Sequence, residues 1–374
     1  MSAQIVIIGA GLFGALLAAR FRDAPAAKSN HVYITLIDAR PDFVYLPLYI
    51  RNCVNDVSHY LVTPLDKIFE KRPEIGTVVC GRVVEIDQFR KQVLLEHGDP
   101  ISFDYLVLAT GYSFDEPIKV PLSTHSEIMS YLDSRREMIK QSRNVIILGG
   151  GPTGCELACE IAHQYGTTKK ITLVHSKEKP LTNIYLEKLR RKTEQILLQE
   201  NVELIFNSYG RDNNDGSVTI TSNENSTAVT TMLADLVFNT FIATPATEWA
   251  PSEWKDPQSR IKVTSTLQVE GADPGIFAIG DIINTEDLKI GIKVNYAVPA
   301  VFNNLIALST GLPATSMYSP PVSESFVLTL KPKVAVGQLA LPLFGLIYLP
   351  SWFLRTLGQN VGAERAIRII GYST

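Results

Sequence analysis

The sequence predicts an α/β protein in which a strand, a glycine turn, a helix and a second strand occur in that order twice, with a small C-terminal domain after them. Three observations predict it. A β-branched run, Ile5-Val6-Ile7-Ile8, leads directly into Gly9-Ala10-Gly11-Leu12-Phe13-Gly14 and then a helix-forming stretch. The order recurs from Asn144, with Gly149-Gly150-Gly151-Pro152-Thr153-Gly154 as the turn. The chain has 374 residues, too long for one typical domain and suited to two with a small extra piece.

In the first unit, Ile5–Ile8 has the composition of a strand buried on both faces. The second strand, Val32 to Ile37, ends at Asp38. Strand, glycine turn, helix, strand and acid together form the fingerprint of a Rossmann-type dinucleotide-binding unit. Gly9 permits the tight turn, Gly11 lets a pyrophosphate approach the backbone, and Gly14 lets the helix pack closely on the strand. The helix N-terminus offers unpaired N–H groups and a partial positive charge to phosphates. Asp38 is expected to accept hydrogen bonds from ribose hydroxyls.

In the second unit, the strand Asn144–Leu148 precedes Gly149, Gly151 and Gly154, and the strand Ile171–Val174 follows the helix. Two complete fingerprints imply two dinucleotides, and two dinucleotides imply electron transfer between them. Where Asp38 stood, this unit has His175-Ser176-Lys177. A carboxylate there repels a 2′-phosphate. Its replacement by a hydroxyl and a cation predicts use of NADPH alongside NADH, unless Lys177 simply points to water.

The composition narrows the remaining choices. A net charge of −3 and a pI near 6.1 give no electrostatic reason to expect nucleic-acid binding. The four cysteines, Cys53, Cys80, Cys155 and Cys159, form no C-x-x-C pair and no zinc-ligand spacing, so no metal site is expected. Cys155 and Cys159 share a helix face and read as buried thiols. The redox chemistry therefore falls to bound cofactors. The N-terminus enters a strand at once, so neither a cleavable targeting segment nor N-myristoylation is expected, and no apolar run is long enough to span a bilayer. The expected location is cytoplasmic, including a cytosol-facing membrane surface.

Two further strands end in small-residue turns: Phe103 to Leu108 at Ala109-Thr110-Gly111, and Gly275 to Ile279 at Gly280-Asp281. With the two glycine motifs these resemble the two-dinucleotide-binding-domain flavoprotein reductases. The resemblance implies that Thr110 and Gly111 close off an FAD site and that Gly280 places Asp281 on the ribityl chain. It also implies an FAD domain split by an inserted NAD(P)H domain. A closer likeness covers nearly the whole chain. Leu173-Val174-His175-Ser176, the helix Gly154–Glu160, Lys293-Val294-Asn295-Tyr296 and Val336-Gly337-Gln338 are similar to the ferroptosis-suppressor and apoptosis-inducing-factor-like branch, which is related to type II NADH:quinone dehydrogenases.

What this likeness implies is hydride transfer from NAD(P)H to flavin N5, then two-electron reduction of a quinone. The flavin supplies the chemistry and the protein supplies orientation and charge. Glu156 opens the second helix, where it either faces the nicotinamide or merely favours the helix dipole. Lys293 to Leu305 reads as a helix near the flavin edge, with Lys293 and Tyr296 as candidates to contact it and the acceptor. The paired glutamines of type II dehydrogenases are missing from this helix, and Pro299 suggests a kink or a late start. Pro47 and Arg51 are FAD-site candidates, with a surface ion pair as the other reading of Arg51.

From Leu339 to Leu354 the chain is at its most apolar, broken by Pro342, Gly345 and Pro350. Lys331, Lys333, Arg355, Arg365 and Arg368 surround it against Glu324 and Glu364, five positive less two negative, a local +3. An apolar, aromatic segment with basic flanks suits an anionic membrane surface. A homodimer interface and a packed core are the alternatives.

The expected organisation is residues 1–115 and 246–312 for FAD, 116–245 for NAD(P)H, and 313–374 as the tail domain. A β meander is expected over Thr77–His97 and a hairpin turn at Asp212–Gly216. The leading function is an FAD-dependent NAD(P)H:quinone oxidoreductase on a membrane surface. A soluble reductase serving a redox protein or metabolite, and a flavoprotein scaffold or redox sensor, are the competing readings.

Overall fold

The computed structural model of the chain describes residues 2–25, 32–114, 119–225, 227–241, 243–321, 325–341, 343–354, 368, 369 and 371. The first glycine turn joins the strand Ala3–Ile8 to helix α1 (Leu12–Asp23), and the chain returns along the strand Val32–Asp38. Both lie within a five-stranded parallel sheet of order 276–278, 105–108, 3–8, 32–38, 76–80. Such a sheet needs cover on both faces, and Ile5, Ile7, Ile34, Leu36 and Ile37 are all fully buried. The strand Ile276–Ala278 comes from far along the chain, after the whole second unit.

The second parallel sheet has the order 203–205, 170–174, 144–148, 236–239. Helix α2 (His125–Gln141) enters it through a capping box, in which Thr124 and Glu127 satisfy each other's backbone donors. Helix α3 (Pro152–Tyr165) follows the glycine turn with Pro152 at its first position, where no donor is needed. Helix α4 (Glu187–Gln199) follows the strand Lys170–Val174. The two connections between the units run side by side as the antiparallel pair Tyr112–Phe114 and Ala243–Pro245.

Three sequence expectations are corrected or refined. The meander over Thr77–His97 divides. Gly76–Cys80 joins the parallel sheet beside Val32–Asp38, and the antiparallel meander is Val83–Asp87, Gln92–Leu95 and Ile101–Ser102. A β-rich strand is satisfied by either pairing, so tertiary contact decides. Gly76 permits the approach, because a Cβ there would stand 2.6 Å from the Ile34 carbonyl oxygen. Helix α5 (Val294–Ser309) begins before Pro299 and continues through it, after a 3-10 turn at Gly291–Lys293. Pro299 has no amide to donate to the carbonyl of Asn295 one turn earlier, and Asn295 is exposed to water. The Asp212–Gly216 turn does join a hairpin, Ser208–Asp212 with Ser217–Ser222, extended by a third strand, Val229–Leu233.

The apolar tail segment folds as strands. Phe326–Lys331, Val334–Leu341 and Gly345–Leu349 form an antiparallel sheet closed by one helical turn, Ser351–Leu354. One face, carrying Leu328, Leu330, Val336 and Gln338, is buried against the second unit. The other exposes Leu339 and Ile347, with Leu343 and Phe344 at the hairpin tip 90% and 76% exposed and Trp352 72% exposed. Pro342, Arg355, Arg365, Glu324 and Glu364 lie outside the described residues. No helix among the described residues is long and apolar enough to cross a membrane.

Candidate active site

The two glycine turns have the same geometry. Gly9 and Gly149 both adopt positive φ, +98° and +109°. A Cβ on Gly14 would lie 1.8 Å from the Gly9 carbonyl oxygen, and one on Gly154 equally close, 1.8 Å, to that of Gly149. The third glycine of each turn is thus required for helix to touch turn. Gly11 and Gly151 differ: a Cβ on either would meet nothing within 4 Å. Each opens onto free space at a helix N-terminus, and that space is where a pyrophosphate fits.

Asp38 closes the first turn. Its Oδ2 accepts from the Ala10 amide at 2.7 Å and its Oδ1 from the Arg40 amide at 2.9 Å. A charge-assisted bond to a buried amide contributes on the order of 2 kcal/mol. Asp38 also lines a cavity of about 290 Å³ with Gly9, Arg40, Arg82, Thr110 and Trp249. Thr110 is held there by donating to the Ala246 carbonyl at 2.6 Å, while the Ala246 amide donates to Gly111 at 3.0 Å. The A-T-G turn is therefore pinned to the chain returning from the second unit. Sequence reasoning missed Arg40, Arg82 and Trp249. Only Arg40, a cation two residues after Asp38, had a local signal.

Gly280 takes φ +82°, and a Cβ there would press within 3.1 Å of the Phe13 ring. It turns the chain so that Asp281 lines a small cavity with Phe13, Lys289 and Lys293. Burial pushes the Asp281 carboxyl up, the Lys289 charge opposes that, and the Asp287 charge adds to it. Lys293 is buried in the same place, 4% exposed, whereas Tyr296 sits on the outer side, 37% exposed. The structure does not bring Lys293 and Tyr296 to one surface.

In the second unit, His175 departs from its expected role as a nucleotide ligand. Its ring is buried against the turn, where Nδ1 accepts from the Gly150 amide at 3.1 Å and Nε2 lies 3.4 Å from the Leu181 carbonyl. Burial lowers its pKa, so at neutral pH it stays uncharged and able to accept. Ser176 is half-buried and Lys177 exposed.

Glu156 stands at the start of α3 and accepts from the Thr329 amide of the tail sheet at 3.2 Å. Burial pushes its carboxyl up to about 8, against the Thr329 bond, which lowers it. One turn later, Glu160 pairs with Arg51 at 3.4 Å. The surface reading of Arg51 is thereby corrected: this is a largely buried ion pair between the turn Tyr49–Asn52 and α3, 13% and 3% exposed. Pro47 lies exposed on the 3-10 turn Leu46–Leu48, apart from the cavity at Asp38. All four cysteines are free, and burial pushes Cys53 up to about 12 and raises Cys155 and Cys159.

Two glycine-turn cradles and a parallel sheet completed by a strand from far along the chain are the frame of a flavoprotein oxidoreductase. The chain belongs to the pyridine nucleotide-disulphide oxidoreductase family, which matches residues 3–300. Its cofactors are FAD and a pyridine nucleotide, which fit the open spaces over Gly11 and Gly151. It is 27% identical over 360 residues to apoptosis-inducing factor homolog B of Dictyostelium discoideum, covering 90% of this chain and 89% of that one. Ferroptosis suppressor protein 1 of Homo sapiens is 28% identical over 320 residues, 81% of each chain. Among solved structures, the sulfide:quinone oxidoreductase of Aquifex aeolicus shares the fold with a TM-score of 0.78 at 17% identity, covering 98% of this chain and 92% of that one. NDH2 from Plasmodium falciparum, solved in complex with NADH, has a TM-score of 0.73 at 13% identity, with 99% and 97% covered.

Proposed function

We propose that this chain is an NAD(P)H:quinone oxidoreductase acting at a membrane surface. Residues 1–115 and 246–312 hold FAD, residues 116–245 hold NADH or NADPH, and 313–374 meet lipid and acceptor. The observation that carries the reading is the two-faced tail sheet. Its inner face docks on α3 through the Thr329–Glu156 bond, and its outer face offers Leu339, Leu343, Phe344, Ile347 and Trp352 to the surroundings. A lipid-dissolved acceptor therefore has an apolar approach next to the helix that carries Glu156. The naming of a quinone in the Aquifex protein of similar fold supports the same acceptor class.

Within this reading, Gly11 and Gly151 cradle the two pyrophosphates, Asp38 and Asp281 hold the FAD ribose and ribityl hydroxyls, and Ser176 and Lys177 meet the second ribose. Glu156 orients the nicotinamide, and the buried Lys293 ammonium faces the flavin edge, where it favours negative charge on the reduced ring. The protein is peripheral on a cytosol-facing membrane, seated by the tail hairpin.

The test is an anaerobic flavin spectrum. NADH or NADPH is added first, then a short-chain ubiquinone analogue, then the same with vesicles of anionic lipid. Bleaching by the nucleotide and rapid recovery with quinone are expected, with co-sedimentation on the vesicles lost in Leu343→Glu/Phe344→Glu. Bleaching without recovery would remove the quinone, and absence of bleaching would remove the oxidoreductase.

A further inference from the structure

Outside the residues that the glycine motifs identify, a charged cluster follows Asp281. Asp287 Oδ2 accepts from the Tyr318 hydroxyl at 2.8 Å and lies 3.7 Å from Lys293 Nζ. Both members of this ion pair are withdrawn from water, the Lys293 side chain 5% and that of Asp287 15% exposed. Lys289 is engaged elsewhere, its ammonium donating to the Thr285 carbonyl and hydroxyl at 3.0 and 2.9 Å. Tyr318 is itself held, its amide donating to the Ser265 carbonyl at 2.8 Å. Asn304 on α5 clamps nearby Ser316, donating to its carbonyl at 2.8 Å and accepting from its amide at 2.7 Å. Asp287, Lys289, Lys293 and Tyr318 line one small cavity with Phe13, Gly280 and Asp281, so the pair opens on the space beside Asp281.

Burial pushes the Asp287 carboxyl up, but hydrogen bonds from Thr285 and Tyr318 and the charges of Lys289 and Lys293 outweigh it, and the group stays ionised. A fixed anion beside a fixed cation opposes the cation's field at any group both of them face.

We propose that Asp287, anchored by Tyr318, is a positioning residue for Lys293, holding its ammonium at the flavin edge and, as its counter-charge, setting the flavin's readiness to accept hydride. The inference rests on the placement of Lys293 under Proposed function. Neither Asp287 nor Tyr318 touches the reacting atoms; they act through Lys293.

The experiment measures the flavin midpoint potential of the holoenzyme by equilibration with reference dyes, with FAD content read from absorbance. Lys293→Met is expected to lower the potential by removing the cation while the Asp287 carboxylate stays. Asp287→Asn is expected to raise it, with Asp287→Ala shifting it in the same direction. The double variant Lys293→Met/Asp287→Asn returns close to the parent, because both charges are gone. Parental potentials in Asp287→Asn and Asp287→Ala, with FAD retained and Lys293→Met lowered, would overturn the role of Asp287. A parental potential in Lys293→Met would overturn the placement of Lys293 and this inference with it.

Discussion

His175 accepts the Gly150 amide at Nδ1, 3.1 Å away, and so does in the second unit what Asp38 does in the first by accepting from Ala10 at 2.7 Å. The bond keeps the middle of each glycine turn pointing at the end of the second strand. The first unit makes it with a carboxylate that also lines the cavity beside the turn. The second makes it with a neutral ring that faces inward, which leaves no anion to repel a 2′-phosphate.

From this follows the nucleotide preference. Lys177→Ala is expected to raise KM for NADPH about threefold, the loss of one exposed cation–phosphate contact of roughly 0.7 kcal/mol, and to change KM for NADH less than twofold. Steady-state rates with both nucleotides check it. No change in either KM would show Lys177 pointing to water.

Glu156 gives a pH signature. Its carboxyl is raised from 4.5 to about 8, so between those values the folded chain holds a proton that the unfolded chain has released. Its contribution to stability is full below pH 4.5, falls as pH rises through that window, and levels off above about 8. Thermal melts of parent and Glu156→Gln across pH 4.5 to 8 are expected to converge at the acid end and separate as pH rises, with the variant more stable. Flavin reduction by NADH in the variant is expected to slow on the order of tenfold through lost orientation. Parallel melting curves would refute the protonated, buried carboxyl.

Gly11 and Gly14 separate binding from folding. Gly14→Val drives a side chain into the Gly9 carbonyl, which a Cβ would already approach to 1.8 Å, and is expected to yield unfolded protein. Gly11→Val meets nothing within 4 Å and is expected to fold with a melting temperature close to that of the apoprotein, yet to lose FAD. Circular dichroism and the absorbance near 450 nm (roughly the flavin band) read the two outcomes. Full FAD content in Gly11→Val would contradict the cradle.

Much of the site was legible because its signals are local. The glycine turns, Asp38 and Asp281 each sit within a few residues of the strand that presents them, so a short stretch of sequence contains both residue and reason. Arg51 was not legible in this way. Its partner Glu160 is on another unit, and nothing around Arg51 tells a flavin contact from an ion pair. The Asp287, Lys293 and Tyr318 cluster was half visible, since Lys293 stood out while the tyrosine that anchors its counter-ion lies across a turn. In the tail, the apolar composition was plain, but its division into a buried and an exposed face was not.

By itself the sequence determined the two Rossmann units and their cofactors, because turn geometry, helix dipole and side-chain charge act over a few residues. Only the tertiary structure decided that His175 turns inward, that Gly76–Cys80 joins the parallel sheet, that Arg51 is buried against Glu160, and that the tail is a sheet docked on Glu156. Each of these depends on a partner distant along the chain, and a backbone or side-chain group is satisfied equally well by several partners until packing selects one.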